Sequence, residues 1–296
     1  MKLKQIKLAL GASALAMALS ACAQHGMHKK DYQFAKANSA KLQSVVAARS
    51  DDAKQRDAWR KPAETLEFFR VEPGMTVVEA LPGGGWYTKI IADYVGSNGA
   101  LYGINYDDDM WPKFGFFSEE RIKELIESNA KFPETVAKVS DSSIKARGFT
   151  FSTAPDELAG TVDRVLVIRA MHNLNRFEKD GQYRSKAIAA MHKLLKTGGM
   201  VGVVQHKVAE ESSDEGAQGQ RGYLKESAVI KMFEQAGFKL VAKSDMHANP
   251  KDQPSATDVV WRLAPTFATS RENPELKAKL AEIGESNRMT LLFKKI

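Results

Sequence analysis

The sequence predicts an α/β protein: a doubly wound, mostly parallel seven-stranded sheet with helices on both faces and two insertions. Three observations predict it. Residues 76–88 open on β-branched Thr76, Val77 and Val78, pass through Leu81-Pro82-Gly83-Gly84-Gly85, and enter a helical pattern. Strand, glycine turn and helix in that order form a nucleotide-binding crevice, because glycines let backbone approach a ligand and the helix N-terminus presents free N–H groups beside it. Strand-like and helix-like stretches then alternate along the chain, the pattern of a parallel sheet. Finally, 296 residues at 43% apolar and 27% charged can bury one large core with additions.

The chain opens on a targeting pattern. Lys2, Lys4 and Lys7 precede an apolar run over 8–19 that is too short to span a bilayer. Leu19-Ser20-Ala21-Cys22 resembles a bacterial lipobox, and Cys22 is the single cysteine. The resemblance implies a signal peptide over 1–21, lipidation of Cys22 as the mature N-terminus, and a lipid anchor to the membrane. Ala23, where inner-membrane lipoproteins of this type often carry Asp, implies sorting to the outer membrane, facing the periplasm. Ordinary secretory cleavage around Ala21-Cys22-Ala23 also fits the small-residue rule. Formal charge is +7, and loss of the three leading lysines leaves 40 basic and 36 acidic residues, or +4, without long runs. With no basic stripe, RNA-binding signature or zinc-finger spacing, nothing marks a nucleic-acid binder.

A polar tether (23–30) leads to an Ala-rich helix over 32–49. Ser50-Asp51-Asp52 is an N-cap with early acids, starting a helix that runs towards Phe69 and is kinked or restarted at Pro62. Tether and helices make up 22–61, and the main domain 62–296. After the first strand the spacing of Ile90, Ile91, Tyr94 and Val95 predicts a helix over 86–95, ended by Ser97-Asn98-Gly99. A second strand covers 100–105. The pattern then loosens into an insertion over about 106–147, with aromatics at Trp111, Phe114, Phe116 and Phe117 and a helix over 118–128 capped by Ser118. Those aromatics read equally as a lid over the crevice or as packing against the sheet. Further strands are predicted over 149–153, 162–169, 200–206, 238–244 and 288–294, with helices over 182–196 and 224–236. A second insertion, about 247–287, contains Pro250, Pro254 and Pro265.

The chain here resembles the class I S-adenosylmethionine-dependent methyltransferases, over roughly residues 62–296. Three stretches carry the resemblance: Glu79-Ala80-Leu81-Pro82-Gly83-Gly84-Gly85 as the first motif, Leu194-Leu195-Lys196-Thr197-Gly198-Gly199-Met200 before the fifth strand, and Phe233-Glu234-Gln235-Ala236-Gly237-Phe238 entering the sixth. The Pro-Gly-Gly-Gly-Trp version also resembles a bacterial subgroup of methyltransferases without an assigned substrate. The resemblance implies a Rossmann-like fold, S-adenosylmethionine as cofactor, and a small-molecule acceptor. It places Glu79, Gly83, Gly84, Gly85, Asn105 and Asp107 at the cofactor. Leu81 replaces the usual first glycine, Asn105 stands where an acid normally meets the ribose, and residues 152–155 lack the usual Asp-Ala pair. Asn105 keeps a hydrogen bond but loses its charge assistance, and Asp107 is the nearby substitute.

A base for methyl transfer belongs at the C-terminal ends of the strands. His172, three residues past Arg169, is the first candidate, with Asn173 as a polar contact. His206 and His247 follow later strands, and the spacings of the three histidines match no metal motif, so no metal is expected. Asp107-Asp108-Asp109 lacks the EF-hand pattern and reads as a solvated loop. Methyl transfer to a small or envelope-associated acceptor is the expected function. The other readings are a non-catalytic lipoprotein binding another small ligand in the same crevice, and a scaffold presenting the aromatic insertion to a protein partner.

Overall fold

The computed structural model describes residues 33–296, and residues 34–296 form one compact unit. The signal segment, Cys22 and the tether lie outside the described residues. Among the described residues no helix is long and apolar enough to cross a membrane.

Helix α1 (Lys36–Ala47) is followed by three short helices, α2 (Asp51–Lys54), α3 (Asp57–Arg60) and α4 (Pro62–Phe68). The helix expected from Ser50 to Phe69 is thus broken twice. Ser50 caps α2 as expected, accepting from Ala53 N, and Lys61 takes a left-handed φ of 39° before Pro62, which starts α4. Proline lacks the N–H that would continue the ladder, so the chain restarts there. Leu42 of α1 is fully buried beside Leu66 and Phe69, so the segment before Pro62 packs into the body of the protein.

Strand β1 (Thr76–Ala80), helix α5 (Trp86–Val95) and β2 (Ala100–Asn105) follow, then α6 (Glu119–Ala130), α7 (Phe132–Val139) and β3 (Lys145–Thr150). The third strand thus starts four residues before its expected position. Its first residues alternate exposed and half-buried at the sheet's edge, so they carry little apolar signal. Next come β4 (Val162–Ile168), α8 (Met171–Arg176), α9 (Glu178–Gly181), α10 (Tyr183–Leu194), β5 (Leu195–His206), α11 (Glu226–Glu234), β6 (Phe238–Ser244), α12 (Pro274–Ile283) and β7 (Arg288–Lys295). The helix expected over 182–196 ends at Leu194, and residues 196–199, including the Thr197-Gly198-Gly199 turn, are a bulge within β5: Leu195 pairs with Val162, and pairing resumes at Met200 with Arg164.

The sheet has the order β3-β2-β1-β4-β5-β7-β6; β7 is antiparallel to both neighbours and the other pairings are parallel. Alternation along the strands divides the core in two. Val78, Tyr102, Val165, Val203 and Phe293 face the layer of α10 and α11, whereas Val77, Leu101, Leu166, Val204 and Leu292 face α1, α4 and α5. Connections run from β1 outward to β3, then return across β1 to β4. That reversal leaves a crevice above the ends of β1 and β4, where doubly wound sheets bind ligands.

Candidate functional site

The crevice opens into a cavity of about 1070 Å³. Its floor is the turn after β1. Leu81 N donates to Ile104 O at 2.8 Å, holding the turn to β2, and Gly85 N donates back to Pro82 O at 3.0 Å. Leu81, Gly83 and Gly85 all have positive φ, at 55°, 54° and 81°. Leu81 adopts without glycine's freedom the conformation for which a glycine is usual, at a strain cost of about 1 kcal/mol. The glycines differ in role. A Cβ on Gly84 would meet nothing within 4 Å, and Gly83 and Gly84 line the cavity. A Cβ on Gly85 would meet Val139 Cγ1 at 3.3 Å, so this glycine seats the turn against α7.

The acids expected at the cofactor are engaged inside the protein. Glu79 is buried, accepts from Thr88 Oγ1 at 2.7 Å, and does not line the cavity. Burial raises its pKa to about 7, against a smaller opposing effect of the Thr88 bond. Asp107 is also buried; its Oδ1 accepts from Ser152 N at 2.8 Å, tying the end of β2 to the end of β3. Asn105 does line the cavity, although its Oδ1 accepts from Tyr106 N at 2.9 Å, which leaves the amide N–H groups for a ligand.

His172 and His206 come together on the cavity wall, with ring centroids 5.5 Å apart. His247 is elsewhere. It is buried between Thr290 Oγ1 at 2.7 Å and Arg60 O at 2.9 Å, a structural link between the second insertion and α3. Among the described residues no three His, Cys, Asp or Glu side chains group to hold a metal ion.

Gln205 sets the state of His172. Its Nε2 donates to Gly222 O at 2.9 Å and His206 O at 3.2 Å, which turns Oε1 towards His172. That oxygen lies 3.3 Å from both the backbone N and Nδ1 of His172. An oxygen facing Nδ1 favours the tautomer with the proton on Nδ1 and a free lone pair on Nε2. Burial lowers the His172 pKa to about 4, with nearby Arg169 and Arg176 lowering it further against the Gln205 bond. His206 is lowered well below the usual range, by burial first and then by His172 and Arg169, and its Nδ1 lies 2.6 Å from Ser286 Oγ. Both imidazoles are neutral at pH 7. Asn173 also reaches the cavity, and its buried Oδ1 has no partner among the described residues.

The rest of the wall comes from both insertions and the N-terminal helices. Tyr106, Trp111, Phe114 and Phe117 line the cavity while also packing on the core, so the aromatic insertion forms part of the cavity wall and packs against the sheet. Trp261 of the second insertion sits edge-on to His172 with centroids 5.8 Å apart. Arg56 and Arg60 reach in from the two ends of α3, Arg56 as its N-cap residue, and Arg169 from the end of β4. Sequence reading passed over these residues. The i, i+4 spacing of Arg56 and Arg60 and the lone polar Gln205 between Val204 and His206 were the available signals; Trp261 had none.

Comparison with known proteins places the fold. No family model and no curated protein matches the chain. Among solved structures it is similar to the [4+2]-cyclase SpnF, at 14% identity over 86% of this chain and 92% of that one, with a TM-score of 0.52. It is also similar to a SAM dependent methyltransferase from Aquifex aeolicus, at 15% identity over 89% and 100%, with a TM-score of 0.47. Another similar structure is Burkholderia thailandensis 1,6-didemethyltoxoflavin-N1-methyltransferase with S-adenosylhomocysteine, at 12% over 90% and 92%, with a TM-score of 0.43. The seven-stranded sheet with its antiparallel seventh strand is a Rossmann-like methyltransferase fold. A [4+2]-cyclase shares that fold, so the reaction has to be argued from this chain's own site.

Proposed function

We propose that the protein is an S-adenosylmethionine-dependent methyltransferase acting on a small or envelope-associated acceptor, and that Cys22 anchors it as an outer-membrane lipoprotein. The observation that carries the reading is one cavity, at the sheet's topological switch point, walled by a side-chain-free turn at Gly83 and Gly84 and by a neutral His172 fixed through Gln205. Its volume lies at the upper end of the range for small-molecule sites, which leaves room for a cofactor and an acceptor together.

The residues present fit the cofactor. Gly83 and Gly84 leave space for close approach, the Asn105 amide is free to donate to a hydroxyl, and the unpartnered Asn173 Oδ1 is an acceptor awaiting a donor. Bound there, S-adenosylmethionine would supply an electrophilic methyl group. This chain's contribution is positioning and a proton acceptor: His172 Nε2 can take a proton from an acceptor hydroxyl or amine as the new bond forms. The aromatics give the site an apolar wall. A second reading, binding without turnover, draws support from Glu79 and Asp107, both committed to bonds inside the protein.

Calorimetric titration with S-adenosylmethionine and S-adenosylhomocysteine tests the reading. Replacing a charge-assisted ribose contact by Asn105 costs roughly ten- to a hundredfold in affinity, so Kd is expected on the order of tens of micromolar to a millimolar. Asn105→Asp is expected to tighten binding. If neither ligand binds at millimolar concentration, even to that variant, methyl transfer is refuted and the binding-lipoprotein reading replaces it.

A further inference from the structure

Charge is unevenly distributed around the cavity. Six arginines line it, at 56, 60, 121, 169, 176 and 271, against two carboxylates, Glu124 and Glu285. Both acids are already engaged. Glu124 pairs with Arg121 at 2.8 Å. Glu285 is buried, accepts from Arg56 Nε at 2.8 Å and Arg60 Nε at 3.3 Å, and is paired with Arg288 at 3.0 Å. One carboxylate therefore serves three guanidinium groups, and Arg60 also lies over the Trp86 ring at 4.9 Å.

Arg169, Arg176 and Arg271 make no side-chain hydrogen bond or ion pair with a described residue. Arg271 is exposed and Arg176 lies over the Phe114 and Phe177 rings, whereas Arg169 is half-buried and lines the cavity immediately after β4. The φ of Arg169 is 59°, a left-handed conformation that costs an arginine about 1 kcal/mol. Desolvation first, and then Arg288, lower its pKa, against the opposing attraction of Glu285. A half-buried cation with no acid hydrogen-bonded to it is poorly compensated, and in strained backbone on a cavity wall it is placed to take an anion from the cavity.

We propose that the acceptor carries an oxyanion, a carboxylate or a phosphate, and that Arg169 binds it beside His172. The inference rests on the methyl-transfer reading and names the acceptor's chemical class. Arginine matches both oxyanions with a planar fork of donors. The aromatic residues Trp111, Phe114 and Trp261 give the remainder of the acceptor an apolar surface. An arriving anion would also offset the field of Arg169 on His172, raising the basicity of Nε2 as the substrate is bound.

The test uses phenyl phosphate and benzoate as probes, with benzyl alcohol as the uncharged control, titrated into the protein with and without S-adenosylhomocysteine. Wild type is expected to bind at least one anion saturably, with Kd on the order of a millimolar or tighter, and to bind the alcohol more weakly. Which anion saturates identifies the headgroup. Arg169→Leu should lose roughly ten- to a hundredfold in anion affinity, and Arg169→Lys should recover part of it. Its Tm without ligand should equal or exceed wild type, since the cation has no internal partner; a fall of many degrees would show a structural arginine. Undiminished anion binding by Arg169→Leu, or no saturable binding by wild type, overturns the proposal. So does a loss of S-adenosylhomocysteine affinity with 5′-methylthioadenosine affinity unchanged, which would assign Arg169 to the cofactor's carboxylate. Should neither nucleoside bind while the anion still binds through Arg169, methyl transfer falls and the oxyanion site stands.

Discussion

Replacing Glu79 by Gln isolates the electrostatics beneath the glycine turn. Glu79 is 5% exposed, and its pKa rises from 4.5 to about 7 because burial disfavours the charged carboxylate. The folded state therefore holds a proton that the unfolded state has released between pH 4.5 and about 7. With the native state binding more protons there, stability falls as pH rises through that window and levels off above it. At 1.36 kcal/mol per pH unit the cost is about 1 kcal/mol at pH 5 and about 3 kcal/mol at pH 8. Gln is uncharged, similar in shape, and can still accept from Thr88 through its amide oxygen. Glu79→Gln should thus stabilise by about those amounts, or several degrees in Tm at pH 8. Urea unfolding followed by circular dichroism at pH 5 and pH 8 measures the difference directly. Because Glu79 does not line the cavity, S-adenosylhomocysteine affinity should stay within about threefold. A gain equal at both pH values, or a variant less stable at pH 8, refutes the buried protonated carboxyl.

Once an acceptor is found, His172→Ala should lower turnover by roughly 10²-fold with little change in cofactor affinity; activity within about twofold of wild type would leave His172 a structural residue. Since the His172 pKa is about 4, its neutral form in the unliganded protein should persist as pH falls from 8 to 5, and an NMR titration of the imidazole should show no protonation over that range. Gly84→Val, at a position with open space, should abolish ligand binding while preserving a cooperative melt; unchanged affinity would show that no ligand approaches the turn. Gly85→Val, at φ 81° against Val139, should instead lower Tm, by the several degrees expected of 1–3 kcal/mol of backbone strain. Radiolabelled palmitate should enter the wild-type protein in its native host and not Cys22→Ala; equal labelling of both would remove the lipoprotein reading.

How much of this was legible in the chain depends on the range of the interaction that decides each feature. Local signals identified the doubly wound sheet: the turn at Gly83-Gly84-Gly85, the alternation of strands and helices, and the stop at Gly237 before β6. Side-chain period and turn chemistry are properties of a few consecutive residues, so they survive without tertiary context. The cavity-lining position of His172 followed from its place just past the C-terminal end of a strand beside the switch point, and that of Asn105 from the family resemblance. Tertiary structure decided the rest. It moved Glu79 and Asp107 from the ligand into the interior, because Thr88 and the backbone of Ser152, distant in sequence, reach them first. It separated His247 from the other two histidines and set the His172 tautomer through Gln205, one sheet position away on β5. Most of all it gathered Arg56, Arg60 of α3 and Arg288 of β7 around a single Glu285, leaving Arg169 without an ion pair among the described residues. Residue spacing cannot reveal an unpaired charge. Pairing is a sum over neighbours brought together from positions up to 229 residues apart, and only the folded chain carries out that sum.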